Sequence, residues 1–247
     1  MLKHNLQDSA IVRGTLPTDR TDVWILSLSV GSDQVDCLWE TLAPDERARA
    51  ARFAFERDRR RFVVGRGALR DILAAYVGGL PGDIRFAYGE HGKPMLAEST
   101  RAGAVEFNAS GSEDLAVCAV TVGHKLGVDI ELCRPGHDDA FIEQCVSPAE
   151  RQVYWGLSPE ERPAAFYRLW TLKEAYLKAT GAGLSRALSS FEVAFAPGES
   201  ARLVSDGLVP EGLENWTFVE FAPSSEHVGA LVIAGQGRPI LYRSWSL

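Results

Sequence analysis

Apolar positions along the chain follow two rhythms, and each rhythm occurs twice. Residues 23–28 and 125–132 are short, β-branched-rich runs of strand length. Each is followed by a helix start, Ala43-Pro44-Asp45-Glu46 in one case and Ser147-Pro148-Ala149-Glu150 in the other. Ser147 is a good N-cap, with Pro148 at the first helical position and Glu150 three residues on. Longer helices are predicted over 59–76 and 164–180, each ended by glycines. Further strands are expected over 84–88 and 116–122, then over 191–195, 216–221 and 228–234. Val193 and Phe195 alternate with polar or small neighbours, as a half-buried strand should.

Shifted by 104 residues, the chain partly matches itself without a gap. Pro44, Glu46 and Arg47 fall on Pro148, Glu150 and Arg151, and Phe62 falls on Phe166. Leu73, Ala75, Gly79 and Leu80 fall on Leu177, Ala179, Gly183 and Leu184. Identities grouped at element boundaries point to internal duplication. The expected fold is therefore α+β: two similar α/β subdomains, 1–122 and 123–247, related by a pseudo-twofold, with a ligand cleft between them. At this shift Arg70 is the counterpart of Glu174 and Ile25 of Asp129. Acidic chemistry then belongs to the second half, and the first is free to supply cations.

Composition narrows the function classes. The net charge of −7 over 247 residues argues against general nucleic-acid affinity. Cys37, Cys118, Cys133 and Cys145 show no C-x-x-C spacing, which fits a reducing cytoplasm and no zinc site. The first eight residues have no apolar signal core, and apolar runs such as 115–122 fall far short of a membrane span. No membrane partner is expected. His4, His91, His124, His137 and His227 lack metal-ligand spacing, and neither H-E-x-x-H nor G-x-S-x-G occurs. Gly65-Arg66-Gly67 falls within a helix, so it is no dinucleotide fingerprint.

Chemistry concentrates in two strings. In Leu126-Gly127-Val128-Asp129-Ile130-Glu131, strand alternation puts Asp129 and Glu131 on one face and turns Ile130 to the core. Such a pair is either a solvated edge or a site for a hard cation such as Mg²⁺. In Trp170-Thr171-Leu172-Lys173-Glu174-Ala175-Tyr176-Leu177-Lys178, Glu174 and Lys178 share a helix face. Alone they are a surface ion pair; beside two carboxylates they suit a metal–phosphate site, with a cation for phosphate.

Taken together, Gly127 to Glu131 followed by Trp170 to Gly181 resembles the signature of the 4′-phosphopantetheinyl transferases, in the surfactin-synthetase-activating, monomeric branch. The resemblance continues through Gly183-Leu184-Ser185 and, more loosely, over nearly the whole chain. It implies transfer of the 4′-phosphopantetheine arm of coenzyme A to a serine of an apo acyl or peptidyl carrier protein, leaving 3′,5′-ADP. It implies Mg²⁺ held by Asp129, Glu131 and Glu174, with Glu174, Lys178 and Asp129 as the catalytic set. Two other classes use the same residues: a Mg²⁺-dependent phosphodiester or pyrophosphate hydrolase, and a non-catalytic carrier-binding relative.

The first half supplies the expected coenzyme A contacts. Nine arginines lie from Arg47 to Arg70, among them Arg49, Arg52, Arg57, Arg59, Arg60, Arg61 and Arg66. They form either a solvated helix face or a surface for coenzyme A phosphates and an acidic carrier. Arg49 matches a coenzyme-A-contacting arginine of the family pattern. The glycines flanking Lys93 make either an ordinary turn or a fixed loop that brings backbone N–H groups and one ammonium to a phosphate or adenine; Gly92-Lys93-Pro94-Met95-Leu96 resembles the family's nucleotide-side loop. Asn108-Ala109-Ser110-Gly111-Ser112 departs from the pattern Asn-x-Ser-His-Ser. Gly111 stands where the family has a histidine for the 3′-phosphate. Lys178, Asn108 and Ser110 complete the expected cofactor set. The missing histidine implies weaker binding, a compensating cation (His91, Lys93 or Arg49) or a diverged substrate.

Overall fold

The computed structural model describes residues 16–97, 105–134, 139–183, 186–208 and 212–247. His4, His137, Leu184 and Ser185, which figured in the sequence reading, lie outside the described residues. The elements run β1 (Thr21–Ser27), α1 (Ser32–Thr41), α2 (Pro44–Ala50), α3 (Glu56–Val77), β2 (Phe86–Tyr88), β3 (Pro94–Leu96), β4 (Val105–Ser112) and β5 (Leu115–Val122). They continue as β6 (Leu126–Leu132), α4 (Asp139–Cys145), α5 (Pro148–Gly156), α6 (Arg162–Thr180), β7 (Phe191–Ala194), β8 (Arg202–Asp206), β9 (Trp216–Phe221), β10 (His227–Ala234) and β11 (Ile240–Trp245). The architecture is α+β, as the periodicity implied. No described helix is long and apolar enough to cross a membrane.

Two compact units divide the chain: residues 1–87, 94–123 and 239–247, and residues 88–93 with 124–238. The break at 123/124 lies beside the expected boundary at 122/123, but two segments change sides. The last nine residues group with the first unit because β11 runs parallel to β1. Buried Asp22 holds that edge: it accepts from Tyr76 Oη at 2.6 Å and Arg20 Nε at 2.7 Å, and pairs with Arg243 Nε at 3.2 Å. The turn 88–93, between β2 and β3, groups with the second unit.

Within each unit a sheet packs with one long helix. The order is β11-β1-β5-β4 in the first and β6-β10-β9 in the second, so antiparallel β1-β5-β4 has the same layout as β6-β10-β9. Trp24, Val64, Ile72, Leu73 and Phe107 centre one core; Leu169, Leu172, Tyr176, Phe191, Ala230 and Val232 centre the other. In the second unit α6 lies against β6 and β10.

The duplication also appears in buried charge. Glu150 completes the α5 capping box: Ser147 N donates to Glu150 Oε2 at 2.8 Å, and Glu150 N to Ser147 Oγ at 3.2 Å. The same carboxylate pairs at 2.6 Å with Lys173, whose ammonium also donates to Leu188 O at 2.7 Å and Phe191 O at 2.8 Å. In the first unit, Ala43 N donates to Glu46 Oε2 at 2.8 Å, and Arg70 pairs with that oxygen at 2.7 Å. Arg70 also donates to Pro81 O at 2.9 Å and Ile84 O at 3.0 Å. In both units the two carbonyls are the first residue of a 3₁₀ turn and the residue just after it. This equivalence corrects the register of the duplication along the long helix. Arg70 corresponds to Lys173, an offset of 103, not to Glu174. The counterpart of Glu174 is Asp71, which accepts from Trp245 Nε1 at 3.0 Å. Spacing between an N-cap and a buried partner tolerates one residue of slip that an ungapped sequence shift does not show.

Removing one partner of a buried ion pair strands the other charge, at a cost of about 3–5 kcal/mol. Lys173→Met should therefore lower unfolding free energy by that order in urea titration, and Glu150→Gln with Lys173→Met should recover much of the loss. With Glu150→Gln measured alone as well, losses of the two single variants that simply add in the double variant would show that the pair does not couple.

Candidate active site

The site is built where α6 crosses the face of β6, and Gly127 allows the crossing. A Cβ on Gly127 would lie 2.1 Å from Ala175 O and 2.3 Å from Ala179 N, so only hydrogen fits between strand and helix backbone. Residues 127, 129 and 131 share that face of β6. Two residues of strand advance about 6.6–6.8 Å and four residues of helix about 6 Å, so the two repeats stay in step. Positions 170, 174 and 178 of α6 consequently run, in the opposite direction, beside Glu131, Asp129 and Gly127.

The contacts follow this stagger. Trp170 Nε1 donates to Glu131 Oε1 at 3.2 Å. Lys178 leans toward the helix N-terminus, as long helical side chains do, and its ammonium reaches Asp129 Oδ1 at 2.6 Å and Val128 O at 3.3 Å. Glu174 lies between them, 7 % exposed, and its Oε1 is buried without a hydrogen-bond partner among the described residues. Burial raises the proton affinity of Glu174 above the ordinary value of 4.5; Lys178 opposes this, while Asp129 and Glu131 add to it. Glu174 therefore feels both strand carboxylates and the lysine at once. Trp170 is braced by Phe141 and Phe166, with ring centroids 5.3 and 6.4 Å away.

Among the described residues there is no group of three or more His, Cys, Asp or Glu side chains that could by itself hold a metal ion. The donor set still suits Mg²⁺, which is usually held by one or two carboxylates together with substrate phosphates. A cation would supply the partner that buried Glu174 Oε1 lacks and would relieve its repulsion from Asp129 and Glu131.

Lys93, expected at a phosphate, has its ammonium on backbone: it donates to Leu126 O at 2.9 Å and Lys178 O at 2.7 Å. Sequence reasoning also left Gly127 without a role. Its signal was available, since a glycine inside an apolar strand marks close backbone approach.

The remaining expected contacts belong to the first unit. Arg49, exposed on α2, lies over the Phe62 ring at 5.2 Å. Asn108 is buried on β4, and Ser110 shares its face. Gly111 points to the opposite face, so Ser110 and a side chain at 111 would serve different sides of the strand. A Cβ there would meet Leu115 O at 3.5 Å and Ala116 Cβ at 3.6 Å, ordinary contacts, and Gly111 is not among the positive-φ glycines.

The arginine run is less of a free cationic surface than its sequence implied. Arg59 pairs with Glu56, and Arg61 with Glu113 and Asp114. Arg47 pairs with Glu40, and Arg57 lies 3.5 Å from Asp58. Arg66 and Arg70 face Glu46, while Arg60 donates to Val30 O. Exposed Arg49 and Arg52 have no ion-pair partner among the described residues.

Comparison with known proteins gives the family. Residues 125–232 match the family model for the 4′-phosphopantetheinyl transferase superfamily, and residues 30–123 match that for the 4′-phosphopantetheinyl transferase N-terminal region. The 4′-phosphopantetheinyl transferase HetI of Nostoc sp. is 38% identical over 90% of this chain and 91% of its own. The 4′-phosphopantetheinyl transferase Sfp of Bacillus subtilis strain 168 is 30% identical over 68% of this chain and 69% of its own. A further 4′-phosphopantetheinyl transferase from Bacillus subtilis is 32% identical over 76% of this chain and 79% of its own. With likeness of this extent in both units, the chain belongs to the 4′-phosphopantetheinyl transferase family, on its Sfp-like side.

Proposed function

We propose that the β6–α6 crossing carries the transfer of 4′-phosphopantetheine from coenzyme A to a serine of an apo acyl or peptidyl carrier protein. The observation that supports it most is the buried Glu174, one helical turn from Lys178 and under the influence of Asp129, Glu131 and that lysine. A carboxylate with raised proton affinity is suited to accept the proton of an attacking hydroxyl. In this reading the carrier serine Oγ bonds to the β-phosphorus of the coenzyme A pyrophosphate. The bridging P–O bond breaks, 3′,5′-ADP departs with the electron pair, and Glu174 receives the serine proton directly or through a water. Lys178, with three ammonium donors, keeps Asp129 oriented and offers positive charge to the leaving phosphate.

Mg²⁺ would be held by Glu174 and Asp129, with Glu131 as a third candidate. Its chemistry there is to offset the pyrophosphate charge. Arg49, Asn108, Ser110 and the backbone at Gly111 are assigned to coenzyme A, and Lys178 to its phosphates. Glu131 has one oxygen engaged by Trp170, as Asp129 has one engaged by Lys178. The hydrolase reading shares this site but needs no carrier, and likeness to named transferases along most of the chain favours transfer.

Mass spectrometry of an apo carrier incubated with the protein, coenzyme A and Mg²⁺ should show one added phosphopantetheine per carrier serine. Free phosphopantetheine with unmodified carrier would favour the hydrolase instead, and coenzyme A binding without any product the non-catalytic relative. Glu174→Gln should nearly abolish transfer and leave melting temperature at pH 7 unchanged or higher. The sign follows from the raised proton affinity: an ionised Glu174 opposes folding above pH 4.5, and glutamine removes that charge. For the same reason the unmodified enzyme should lose kcat on acidification at a pH above 4.5.

At Gly111, neither the backbone conformation nor the surroundings of a Cβ resist substitution. A histidine contact to the 3′-phosphate is typically worth about 1.5–3 kcal/mol, roughly ten- to a hundredfold in affinity. Gly111→His should therefore raise the ratio of kcat/KM for coenzyme A over 3′-dephospho-coenzyme A. A ratio that is already large in the unmodified protein would mean that another cation serves the 3′-phosphate.

A further inference from the structure

The turn that precedes β3 does more than close a hairpin. Gly89 N donates to Lys93 O at 3.0 Å and Gly92 N to Gly89 O at 2.9 Å, with Gly92 at φ +77°. The backbone of the turn is thus fixed before the side chain of Lys93 leaves it. That side chain ends between two carbonyls of different elements, Leu126 O at the start of β6 and Lys178 O in the last turn of α6. Lys178 O is among the last four carbonyls of α6 and lies at the negative end of the helix dipole. In the second unit β6 is the edge of its sheet, where alternate carbonyls face away from β10. Two residues along, Val128 O is met by the ammonium of Lys178 itself. Two lysines therefore cap adjacent positions on one open edge.

The same turn also rests on the chain just after α6. Gly183 has φ +65°, and a Cβ there would lie 2.5 Å from His91 Cβ. His91 and Lys93 together hold the end of the helix, and Lys93 ties it to the strand one residue before Gly127. Asp129 and Lys178 meet at 2.6 Å across this junction.

We propose that Lys93 is a positioning residue for the transfer reaction, and that it clamps the α6 C-terminus to β6 so that Lys178 stays seated on Asp129. This rests on the transferase reading of the site, but it assigns Lys93 a role through Lys178 and not on a coenzyme A phosphate. The two roles separate kinetically. A phosphate ligand contributes to binding of the cofactor, whereas a residue that sets the geometry of catalytic groups is felt in turnover.

The test uses the full chain with Lys93→Met and Lys93→Arg, assayed well below melting with coenzyme A and with 3′-dephospho-coenzyme A. Amide hydrogen exchange is followed in parallel at residues 127–129 and 179–183. Lys93→Met should lower kcat by about ten- to a hundredfold, the scale of a small misplacement of catalytic groups. The coenzyme A KM should stay within about twofold, and the preference for coenzyme A over its 3′-dephospho form should not change. Exchange should quicken in both segments. Lys93→Arg, whose guanidinium can donate to both carbonyls, should restore most of kcat and of the protection. If Lys93→Met does not fold, Lys93→Gln, which keeps a donor group, is read in the same way. A raised KM with a collapsed cofactor preference and intact kcat would overturn the proposal in favour of a phosphate ligand. Unchanged kcat would overturn it in favour of a purely structural contact. If the unmodified protein transfers nothing, the transferase reading fails instead, and exchange alone decides whether the clamp exists: unchanged protection would refute it.

Discussion

Everything in the candidate site depends on how closely α6 approaches β6. The helix backbone sits where the Cβ of any residue but glycine at 127 would collide with it. That contact fixes both the distance and the stagger of the two elements. Once they are fixed, the near-equal advance of two strand residues and four helix residues carries the alignment along the crossing. Glu131 meets Trp170, Asp129 meets Lys178, and Glu174 is enclosed between them. A looser approach would open the site to water and restore ordinary carboxylate behaviour to Glu174.

The site is an investment of charge in a place that does not favour it. Glu174 is buried, receives repulsion from two carboxylates and is offset mainly by Lys178. The surrounding fold uses charge differently. Glu46 with Arg70, and Glu150 with Lys173, are buried pairs whose cations are completed by backbone carbonyls. In each pair the carboxylate accepts from a helix start and the cation donates to the carbonyls of a 3₁₀ turn, so the pair organises its unit. Burial lowers the proton affinity of Lys173, and Glu150 opposes that shift in part. Glu174, one residue further along the same helix, has its buried Oε1 without a hydrogen-bond partner among the described residues.

The duplication was legible because it is written in strong local signals. Pro at N1, a glutamate two positions later and glycines after a long helix survive divergence, since each satisfies backbone groups in its own neighbourhood. The strands and helices around 23–28, 59–76, 125–132 and 164–180 were readable for the same reason, although α3 begins three residues earlier than expected. What the pattern misplaced was register. An ungapped shift aligned Arg70 with Glu174, whereas the shared cage of carbonyls aligns it with Lys173. The placement of β11 beside β1 was likewise not readable, because it depends on Arg243 and Asp22, separated by most of the chain.

By itself the sequence determined the fold class and the duplication, and its resemblance to the family singled out Asp129, Glu131, Glu174 and Lys178 as candidates. The elements that carry them follow from periodicity and spacing, because the geometry of a strand or helix follows from its own residues. The tertiary structure alone decided the partners. It gave Trp170 to Glu131, drew Lys93 onto two carbonyls and neutralised much of the arginine run with carboxylates such as Glu56, Glu113 and Asp114. A charged side chain reaches several ångströms in any direction, so its partner is fixed only when distant elements have packed. Which carbonyl, carboxylate or ring lies within that reach is a property of the packing, and no local pattern encodes it.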